Sequence, residues 1–285
     1  MAQKKNWTIL DIIKVSEQAL KEKNITNARL NAELLLANSL NTERIKLYLD
    51  FDKPLSEPEL ARFKTLLKRR LAHEPLQYIL GTAEFYGLRF KVNNCVLIPR
   101  QETEILVEHA IDVIKQMNNT KPLVLEIGTG SGCISISIAK NCECSINAID
   151  NSGPAINLAS ENAKFHNVCD KINFELLEFS KAFDLGVYDI IISNPPYIPP
   201  AVYGLLPDEI KNFEPKSALT DGIDGFSFYR NIFSIINENN ITAPVLLEIG
   251  DGKRQSIENI LLSFCIAKYN FYKDYINIDR VLKIN

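Results

Sequence analysis

Residues 123–150 read LVLEIGTGSGCISISIAKNCECSINAID, and this stretch predicts one strand, helix and strand unit of a parallel sheet. An apolar run, Leu123–Ile127, is followed by a glycine-rich turn, a helical segment at Cys133–Lys140 and a second apolar run at Ile146–Ile149. Two strands joined through one helix are typical of parallel pairing, because a parallel connection must cross the sheet. Glycines in such a turn allow the backbone to approach a ligand closely.

The same alternation of helix and strand continues on both sides of this stretch, from Thr103 onward. A helix is predicted near Glu104 to Met117. Further apolar runs predict strands at Ile172–Leu176, Ile190–Ser193 and Val245–Ile249, with a closing pair near Tyr269–Tyr275 and Arg280–Ile284. Alternation of this kind favours a parallel sheet with helices on both faces. The predicted fold class is therefore α/β, with a seven-stranded, Rossmann-like sheet over residues 104–285.

The chain before this region has a different pattern. Over residues 1–80 apolar side chains recur at helical spacing, and Thr8 and Ser56 stand where helix caps are expected. Residues 81–103 instead combine strand-forming side chains with turn residues such as Gly87, which predicts a β-hairpin. We therefore predict a helical-bundle domain at 1–80, a hairpin linker at 81–103 and the α/β domain at 104–285.

The composition is that of an ordinary soluble globular protein, with 46% hydrophobic and 24% charged residues. The first fifteen residues contain no apolar stretch followed by a cleavage site, and no later run approaches about 18 uninterrupted apolar residues. We therefore expect a cytoplasmic protein without a membrane partner, and a monomer by default. Six cysteines without a C-x-x-C pair and three scattered histidines predict no metal site and no disulfide framework.

The formal net charge is −3, and it is unevenly divided. Residues 1–80 carry 14 Lys and Arg against 10 Asp and Glu, whereas the rest of the chain carries 18 against 25. The acidic excess after residue 80 argues against binding along a nucleic-acid backbone. The basic excess before it indicates either an acidic partner or a set of solvated helix faces.

The glycine turn also indicates the kind of cofactor. Its spacing is G-x-G-x-G over Gly128, Thr129, Gly130, Ser131 and Gly132. The dinucleotide fingerprint requires G-x-G-x-x-G, so this spacing argues against a nicotinamide cofactor.

The strands that follow the turn supply two more cofactor candidates. The second predicted strand ends in Asp150, whose carboxylate can accept hydrogen bonds from two ribose hydroxyls. No phosphate-binding motif accompanies it, which favours a nucleoside-like cofactor without phosphates. Phe179, after the third strand, can lie against an adenine ring or belong to the core.

A second candidate site, Asn194-Pro195-Pro196-Tyr197, directly follows the apolar strand Ile190–Ser193. Two prolines stiffen the turn. The Asn194 side-chain oxygen and the Pro195 carbonyl can each accept one N–H of a planar NH₂ group, while the Tyr197 ring stacks on it. This arrangement predicts methyl transfer to a planar amide or amino nitrogen through orientation and electrostatics. A structural turn with Asn194 as a local cap is the alternative.

Together with these motifs, three further stretches resemble the protein-(glutamine-N5) methyltransferases that modify class 1 peptide chain release factors, the family known as PrmC/HemK. The stretches are Pro75–Gly81, Val96–Arg100 with Glu102–Glu104, and Phe213–Pro215 with Ala218–Leu219. The similarity covers almost the whole chain. It implies S-adenosyl-L-methionine as methyl donor, S-adenosyl-L-homocysteine as product, and the glutamine of a release factor's Gly-Gly-Gln loop as substrate.

The resemblance also implies roles for individual residues. The residues implied to line the cofactor are Gly128, Thr129, Gly130, Ser131, Gly132, Asp150, Phe179 and Asn194. The residues implied to bind the substrate glutamine or to shape its pocket are Asn194, Pro195, Pro196, Tyr197, Arg100 and Glu102, with Asn194, Pro195 and Tyr197 as the catalytic group. The helical N-terminal domain is implied to bind another region of the release factor.

The sequence departs from the family pattern at four positions. Gln101 stands where the family usually has proline, Glu126 and Glu178 each replace an aspartate, and Phe179 replaces a frequent tryptophan. Three of these positions are near the expected cofactor site, so the departures bear on cofactor affinity more than on fold.

Two other functions are compatible with parts of the pattern. An adenine-N6 or cytosine-N4 DNA methyltransferase can use the same four residues to hold the amine of a flipped base. The sequence has no evident target-recognition domain or basic groove, so no direct nucleic-acid substrate is expected. A non-catalytic module that binds a release factor or the ribosome is the second alternative, and the intact Asn194 and Asp150 argue against it.

Overall fold

The computed structural model describes residues 6–180 and 183–285. The expectation that the first fifteen residues carry no targeting segment falls partly on residues 1–5, which lie outside the described residues. Two compact units are present. The helical unit comprises the described residues up to Gly81 together with Asp208–Phe213, and the sheet unit comprises Thr82–Pro207 together with Glu214–Asn285. Within the described ranges, no helix has both the length and the apolar character needed to cross a membrane.

The helical unit begins with helices whose starts match the predicted caps. The helices are α1 (Ile9–Glu22), α2 (Ala28–Ser39), α3 (Arg44–Leu49), α4 (Glu57–Leu71) and α5 (Leu76–Leu80). The Thr8 hydroxyl accepts the N–H of Asp11 at 3.2 Å, and the Asp11 carboxylate accepts the N–H of Thr8 at 3.3 Å. The Glu59 carboxylate likewise accepts the N–H of Ser56 at 2.8 Å. Both capping boxes satisfy N–H groups that a helix start leaves without partners.

A buried arginine explains why Asp208–Phe213 belongs to the helical unit. The Arg70 side chain is 5% exposed. It donates to Asn31 Oδ1 at 2.7 Å, to the Glu74 carbonyl at 2.9 Å and to Glu209 Oε2 at 2.8 Å. A buried guanidinium requires such partners because its desolvation is costly. No sequence pattern pointed to the insertion of this later segment among the N-terminal helices.

The sheet unit starts with the predicted hairpin. Strands β1 (Thr82–Phe85) and β2 (Leu88–Lys91) pair antiparallel, with Phe85 opposite Leu88. The two residues between them, Tyr86 and Gly87, both have positive φ, 51° and 69°. Positive φ at both central positions is the requirement of the tight turn whose twist suits a two-residue hairpin.

A seven-stranded sheet follows, as the alternation predicted. The elements are α6 (Glu104–Gln116), β3 (Leu123–Ile127), α7 (Cys133–Asn141), β4 (Ser145–Asp150), α8 (Gly153–Phe165), β5 (Ile172–Leu176), β6 (Ile190–Ser193), α9 (Pro200–Tyr203), α10 (Asp208–Lys211, in the helical unit), α11 (Ser227–Glu238), β7 (Val245–Glu248), α12 (Arg254–Ser263), β8 (Tyr269–Lys273) and β9 (Asp279–Ile284). The strand order is β5-β4-β3-β6-β7-β9-β8.

The strand directions differ from the parallel expectation at one edge. Strands β3 to β7 are mutually parallel, whereas β9 runs antiparallel to both β7 and β8. The short connection from β8 to β9 leaves no room for a crossover, so the pair forms a hairpin.

The order of the strands reverses direction at β3. Strands β4 and β5 lie on one side of β3, and the next strands along the chain, β6 and β7, lie on the other side. In open α/β sheets, ligands bind at the carboxyl ends of the strands where the order reverses.

The central strands are buried on both faces. Alternate residues of β3, β6 and β7 belong to two different core clusters. Val124, Ile190 and Leu246 contribute to one cluster, and Leu125, Ile191 and Leu247 contribute to the other. The continuous apolar runs of the sequence follow from this arrangement, because neither face of these strands contacts water.

A buried asparagine on α8 joins the hairpin to the glycine turn. Asn162 is fully buried. Its Nδ2 donates to the carbonyls of Ser131 at 2.9 Å and Lys91 at 3.1 Å, and its Oδ1 accepts the N–H of Lys91 at 2.8 Å. One amide side chain therefore satisfies backbone groups of both segments.

Replacing Asn162 tests this bridge. Asn162→Leu keeps a similar volume but leaves the Ser131 carbonyl without its hydrogen bond in a buried place. We expect the free energy of unfolding to fall by about 1–3 kcal/mol, measured by urea denaturation. Asn157→Leu, the same change at an exposed position of α8, is the control and should change it by less than about 0.5 kcal/mol. Equal stability of Asn162→Leu and the wild type would contradict the bridge.

Candidate active site

One cavity of about 400 Å³ opens at the carboxyl ends of β3, β4 and β6. Its walls come from the turn after β3, the end of β4, the loop after β5 and the start of the segment after β6. Residues 95–97, 99, 100, 215, 217 and 218 also line it. Its volume lies in the range of pockets that hold small ligands. The structure thus brings together motifs that lie far apart in the sequence.

The three glycines of the turn have positive φ, but they serve two purposes. At Gly128 and Gly130, an added Cβ would meet no described atom within 4 Å, so both face open space. At Gly132, an added Cβ would lie 3.1 Å from Ile136 Cδ1 and 3.2 Å from Ala159 Cβ. The first two glycines therefore keep the cavity floor open to a ligand, and the third allows the turn to pack on its neighbouring helices.

Asp150 stands at the end of β4 with its carboxylate held in place. Its Oδ2 accepts the N–H of Gly130 at 2.9 Å, and its Oδ1 accepts the N–H of Ser152 at 2.9 Å. Each carboxylate oxygen can accept a further hydrogen bond. Asp150 lines the cavity, and its binding of a pair of ligand hydroxyls stays a prediction.

The loop after β5 provides an apolar wall. Phe179 lines the cavity together with Phe228, and their ring centroids are 5.5 Å apart. Phe183 lies 5.8 Å from Phe179 on the other side. Phe179 therefore packs against the core and also lines the cavity, while its contact with an adenine ring stays a prediction.

Glu126, near the end of β3, holds the glycine turn in place through hydrogen bonds. Its Oε2 accepts the Thr129 hydroxyl at 2.8 Å and also the N–H and hydroxyl of Ser135. Burial raises the pKa of Glu126 to about 8 against the lowering effect of the hydrogen bonds from Thr129 and Ser135, so the carboxyl group is largely protonated at neutral pH. Its Oε1 is buried and has no partner among the described residues.

Asn194 and Pro196 line the same cavity as the glycine turn. Asn194 Nδ2 donates to the Thr103 hydroxyl oxygen at 3.2 Å. This contact pairs the Nδ2 end of the amide with Thr103, which also lines the cavity, and leaves Oδ1 able to accept a hydrogen bond. Pro195 is buried within the turn. The start of the turn is fixed by Ser193, whose hydroxyl donates to the Ile127 carbonyl at 2.7 Å.

Tyr197 lies behind the cavity wall. Its hydroxyl donates to Glu248 Oε1 at 3.4 Å, and burial raises the pKa of this phenol. Its ring rests directly on Gly250, where an added Cβ would come within 2.8 Å of Tyr197 Cδ2. At Gly225, whose φ is 78°, an added Cβ would clash with the carbonyl oxygen of Tyr197. Both glycines are needed to leave room for this tyrosine.

Glu248, at the end of β7, is buried at 2% exposure. Burial raises its pKa to about 7, although hydrogen bonding from Thr103, the charge of Arg280 and hydrogen bonding from Tyr197 act in the opposite direction. The carboxyl group is therefore near the balance between its two protonation states at neutral pH.

The two predicted pocket residues before α6, Arg100 and Glu102, differ in whether they line the cavity. Arg100 lines the cavity, but its guanidinium is paired with the buried Glu214 carboxylate at 2.5 Å. Glu214 Oε2 also accepts the N–H of Ile98 at 3.4 Å. Glu102 is exposed. Four of the predicted site residues, Glu102, Gly132, Pro195 and Tyr197, are not part of the lining of this cavity.

The loop of residues 221–227 contacts the Asn194–Tyr197 turn through Gly225. Asp221 Oδ1 accepts the N–H groups of Ile223 and Gly225, each at 2.9 Å. Asp221 Oδ2 accepts the Ser227 N–H at 3.0 Å and the Ser227 hydroxyl at 2.6 Å. This one carboxylate shapes the loop that brings Gly225 against Tyr197.

Sequence reasoning missed several of these supporting residues. Glu126 and Glu248 each interrupt an otherwise apolar strand, and a charged side chain in such a run indicates a buried interaction. The dipeptides Asp221-Gly222 and Asp224-Gly225 are turn signals, and they could have indicated the loop that contacts Tyr197. Nothing in the local sequence identified Thr103 as the partner of Asn194.

Two family models match the chain. One, described as the PrmC N-terminal domain, matches residues 11–81, and the other, described as the methyltransferase small domain, matches residues 102–202.

Related proteins match over almost the full length. The release factor glutamine methyltransferase of Chlorobaculum tepidum is 37% identical over 299 residues, which cover 99% of this chain and 98% of that protein. The release factor glutamine methyltransferase of Geobacter sulfurreducens is 39% identical over 280 residues, which cover 97% and 96%.

A solved structure shares the fold at low sequence identity. The hMettl16 catalytic domain, in complex with a MAT2A 3′UTR hairpin, has a TM-score of 0.59 and 17% identity to this chain. The match covers 81% of this chain and 82% of that one. The likeness supports the α/β methyltransferase fold.

The Asp221 loop provides a test of how the site is held. Burial acts to raise the pKa of Asp221, but the hydrogen bonds from Ser227, Ile223 and Gly225 outweigh it and lower the pKa to about 2 from an ordinary 3.8. The carboxylate therefore stabilises the fold above about pH 4, and this contribution disappears as the pH falls through about 2.

Asp221→Asn puts an NH₂ group where one carboxylate oxygen accepts hydrogen bonds, so at least one backbone N–H group then faces a donor. We expect the free energy of unfolding to fall by about 1–3 kcal/mol at pH 7, and the difference from the wild type to shrink below about pH 4. Denaturant unfolding at pH 7, 5 and 3.5 measures both effects. Asp251→Asn on the exposed surface is the control. A difference that grows toward acid would show that the sign of the pKa shift is wrong.

Proposed function

Because this chain belongs to the family of release factor glutamine methyltransferases, we propose that it methylates the side-chain amide nitrogen of the glutamine in the Gly-Gly-Gln loop of class 1 release factors. The proposed methyl donor is S-adenosyl-L-methionine. The observation that carries the proposal is one cavity that is lined by the glycine turn, by Asp150 and by Asn194.

The residues present fit such a cofactor. S-adenosylmethionine consists of a nucleoside without phosphates and an amino-acid tail, and it supplies a methyl group bound to a positively charged sulfur. The open space in front of Gly128 and Gly130 admits a ligand against the backbone. Asp150 offers acceptors to ribose hydroxyls, and Phe179 with Phe228 offers apolar faces to a base. The cofactor residues proposed are therefore Gly128, Thr129, Gly130, Ser131, Gly132, Asp150, Phe179 and Asn194.

The chemical problem is that an amide nitrogen is a poor nucleophile, because its lone pair is delocalised into the carbonyl group. Holding both N–H groups with acceptors fixes the direction in which the remaining electron density faces the methyl group. Asn194 Oδ1 and the Pro195 carbonyl are the proposed acceptors. Most of the rate enhancement then comes from orientation and from fixed dipoles that replace water.

The surroundings of this turn support an orienting role. Pro195 and Pro196 restrict the backbone, and the Tyr197 ring is confined by Gly250 and Glu248. No strong base is required, since the extra proton becomes acidic once the nitrogen is methylated and can leave to water. Arg100 acts on the pocket through its pairing with Glu214, which positions the wall formed by residues 96–100.

The remaining proposals concern the binding partner, the location of the enzyme and its oligomeric state. We propose that the helical unit binds a second region of the release factor, consistent with its basic excess over residues 1–80. Release factors act on ribosomes, so we place the enzyme in the cytoplasm, and we propose a monomer.

The substrate can be tested directly with S-adenosylmethionine that carries a labelled methyl group. We expect label on a class 1 release factor and none on its variant with alanine in place of the loop glutamine, as detected by mass spectrometry of the loop peptide. Duplex DNA and single-stranded DNA are tested as substrates in parallel. Label on DNA, or equal label on the alanine variant, would overturn the proposed substrate.

The role of Asn194 has its own test. Asn194→Ala removes an acceptor that acts mainly in the transition state, so we expect kcat to fall by about 10²–10³-fold. Binding of S-adenosylmethionine, measured by calorimetry, should weaken only modestly. Asn270→Ala on the exposed edge strand β8 is the control and should retain full activity. Normal turnover by Asn194→Ala would refute its assignment.

A further inference from the structure

Helix α3 in the helical unit exposes most of its apolar side chains. Leu47 is buried, whereas Ile45, Tyr48 and Leu49 are 64%, 38% and 81% exposed. Ile45 and Leu49 are four residues apart, so they lie on the same face of the helix. Single exposed apolar residues are normal on a protein surface, but a group of them side by side is a mark of interaction sites.

A buried carboxylate on α2 holds the polar side chains around this helix. Glu33 is 1% exposed. Its Oε1 accepts hydrogen bonds from Arg29 Nε at 2.9 Å and from the Tyr48 hydroxyl at 2.8 Å. Its Oε2 lies 3.0 Å from Arg44 Nε in an ion pair. One carboxylate therefore fixes three side chains, which come from both α2 and α3.

Both arginines keep a large part of their side chains in solvent. Arg29 is 51% exposed and Arg44 is 47% exposed. In each, Nε makes the contact with Glu33, while a guanidinium group has four further N–H donors on its two terminal nitrogens. Two positive charges share one buried negative charge here. The surface beside α3 therefore carries an excess of positive charge in a fixed position.

We propose that these residues form a docking surface for an acidic segment with apolar side chains on the release factor, away from its Gly-Gly-Gln loop. The surface, called the α3 patch below, consists of Arg29, Arg44, Ile45, Tyr48 and Leu49. This inference rests on the proposed function, which supplies the protein partner. It names the surface of the helical unit that makes the contact and the chemistry that the surface recognises.

The composition of the α3 patch is that of a protein interface. Arginine and tyrosine are enriched among the residues that contribute most to binding, and apolar side chains fill the desolvated centre. A guanidinium group can bind a carboxylate through two parallel hydrogen bonds. A nucleic-acid backbone would also pair with the arginines, but its phosphates have no apolar surface to cover Ile45 and Leu49. An acidic protein segment uses both halves of the patch.

Two acidic residues limit where the partner's carboxylates are placed. Glu43 and Asp50 flank α3 at its two ends, and both are exposed. They repel acidic groups near the ends of the helix, so the partner's carboxylates are expected at Arg29 and Arg44. Long side chains normally lose conformational freedom when they bind. Because Glu33 already holds the two arginines, part of this cost is absent.

The apolar half of the patch is tested with Leu49→Ser. We expect the Kd for a full-length class 1 release factor, measured by calorimetry, to rise about tenfold, the scale of losing one important interface residue. The unfolding midpoint, the Kd for S-adenosylmethionine and kcat at saturating release factor should stay close to the wild type. Leu262→Ser, on α12 and 65% exposed, is the matched control and should leave the Kd for the release factor unchanged.

The charged half is tested with Arg44→Gln. We expect the Kd for the release factor to rise about fivefold to tenfold at low salt and to depend less on salt concentration than in the wild type, since one screened charge pair is lost. Arg254→Gln, on α12 and 48% exposed like Arg44, is the control. It should keep both the Kd and its salt dependence.

The outcomes distinguish this inference from the proposed function. Unchanged Kd values for the release factor in both Leu49→Ser and Arg44→Gln would overturn the docking surface while the wild type still methylates the loop glutamine. A wild-type dimer in sedimentation that Leu49→Ser dissociates would also overturn it, as would loss of binding to a single-stranded RNA oligonucleotide in place of the release factor. A failure of the wild type to methylate the release factor would instead overturn the proposed function.

Discussion

The hydrogen-bonded register of β3 with its two neighbours is the constraint on which the site depends. Ile127, the last residue of β3, lies opposite Ile149 of β4 and Ser193 of β6. The residues that follow these three positions therefore emerge at the same edge of the sheet. The glycine turn, Asp150 and Asn194 meet there because parallel strands end together, and a shift of one residue would turn the side chains to the other face.

Three buried carboxyl groups then fix the loops that leave this edge. Glu126 holds the glycine turn, Glu214 holds Arg100 and the backbone of Ile98, and Glu248 holds Tyr197. Burying a carboxyl group is costly unless hydrogen bonds or a neutral protonation state offset the loss of water. Glu126 and Glu248 have raised pKa values, and Glu214 has an ion pair. Each of these three carboxyl groups therefore holds its loop through specific hydrogen bonds or an ion pair.

Much of the fold was predictable because it follows from local patterns. The apolar runs at Leu123–Ile127, Ile172–Leu176 and Ile190–Ser193 became strands with those same limits, and the caps at Thr8 and Ser56 start helices as expected. The antiparallel direction of β9 was not predictable in this way, since apolar spacing carries no strand direction. The packing of Asp208–Phe213 with the N-terminal helices depends on Arg70, whose partner Glu209 is 139 residues away.

The sequence by itself determined the chemistry that is offered: a glycine turn, an acidic residue after the next strand and an Asn-Pro-Pro-Tyr turn, together with the resemblance that indicated the family. Only the tertiary structure decided how these groups are directed. The pairing of Asn194 with Thr103, the pairing of Arg100 with Glu214 and the confinement of Tyr197 by Gly250 join residues far apart in the chain. Hydrogen-bond direction and steric fit depend on distances between atoms, and a one-dimensional pattern does not contain those distances.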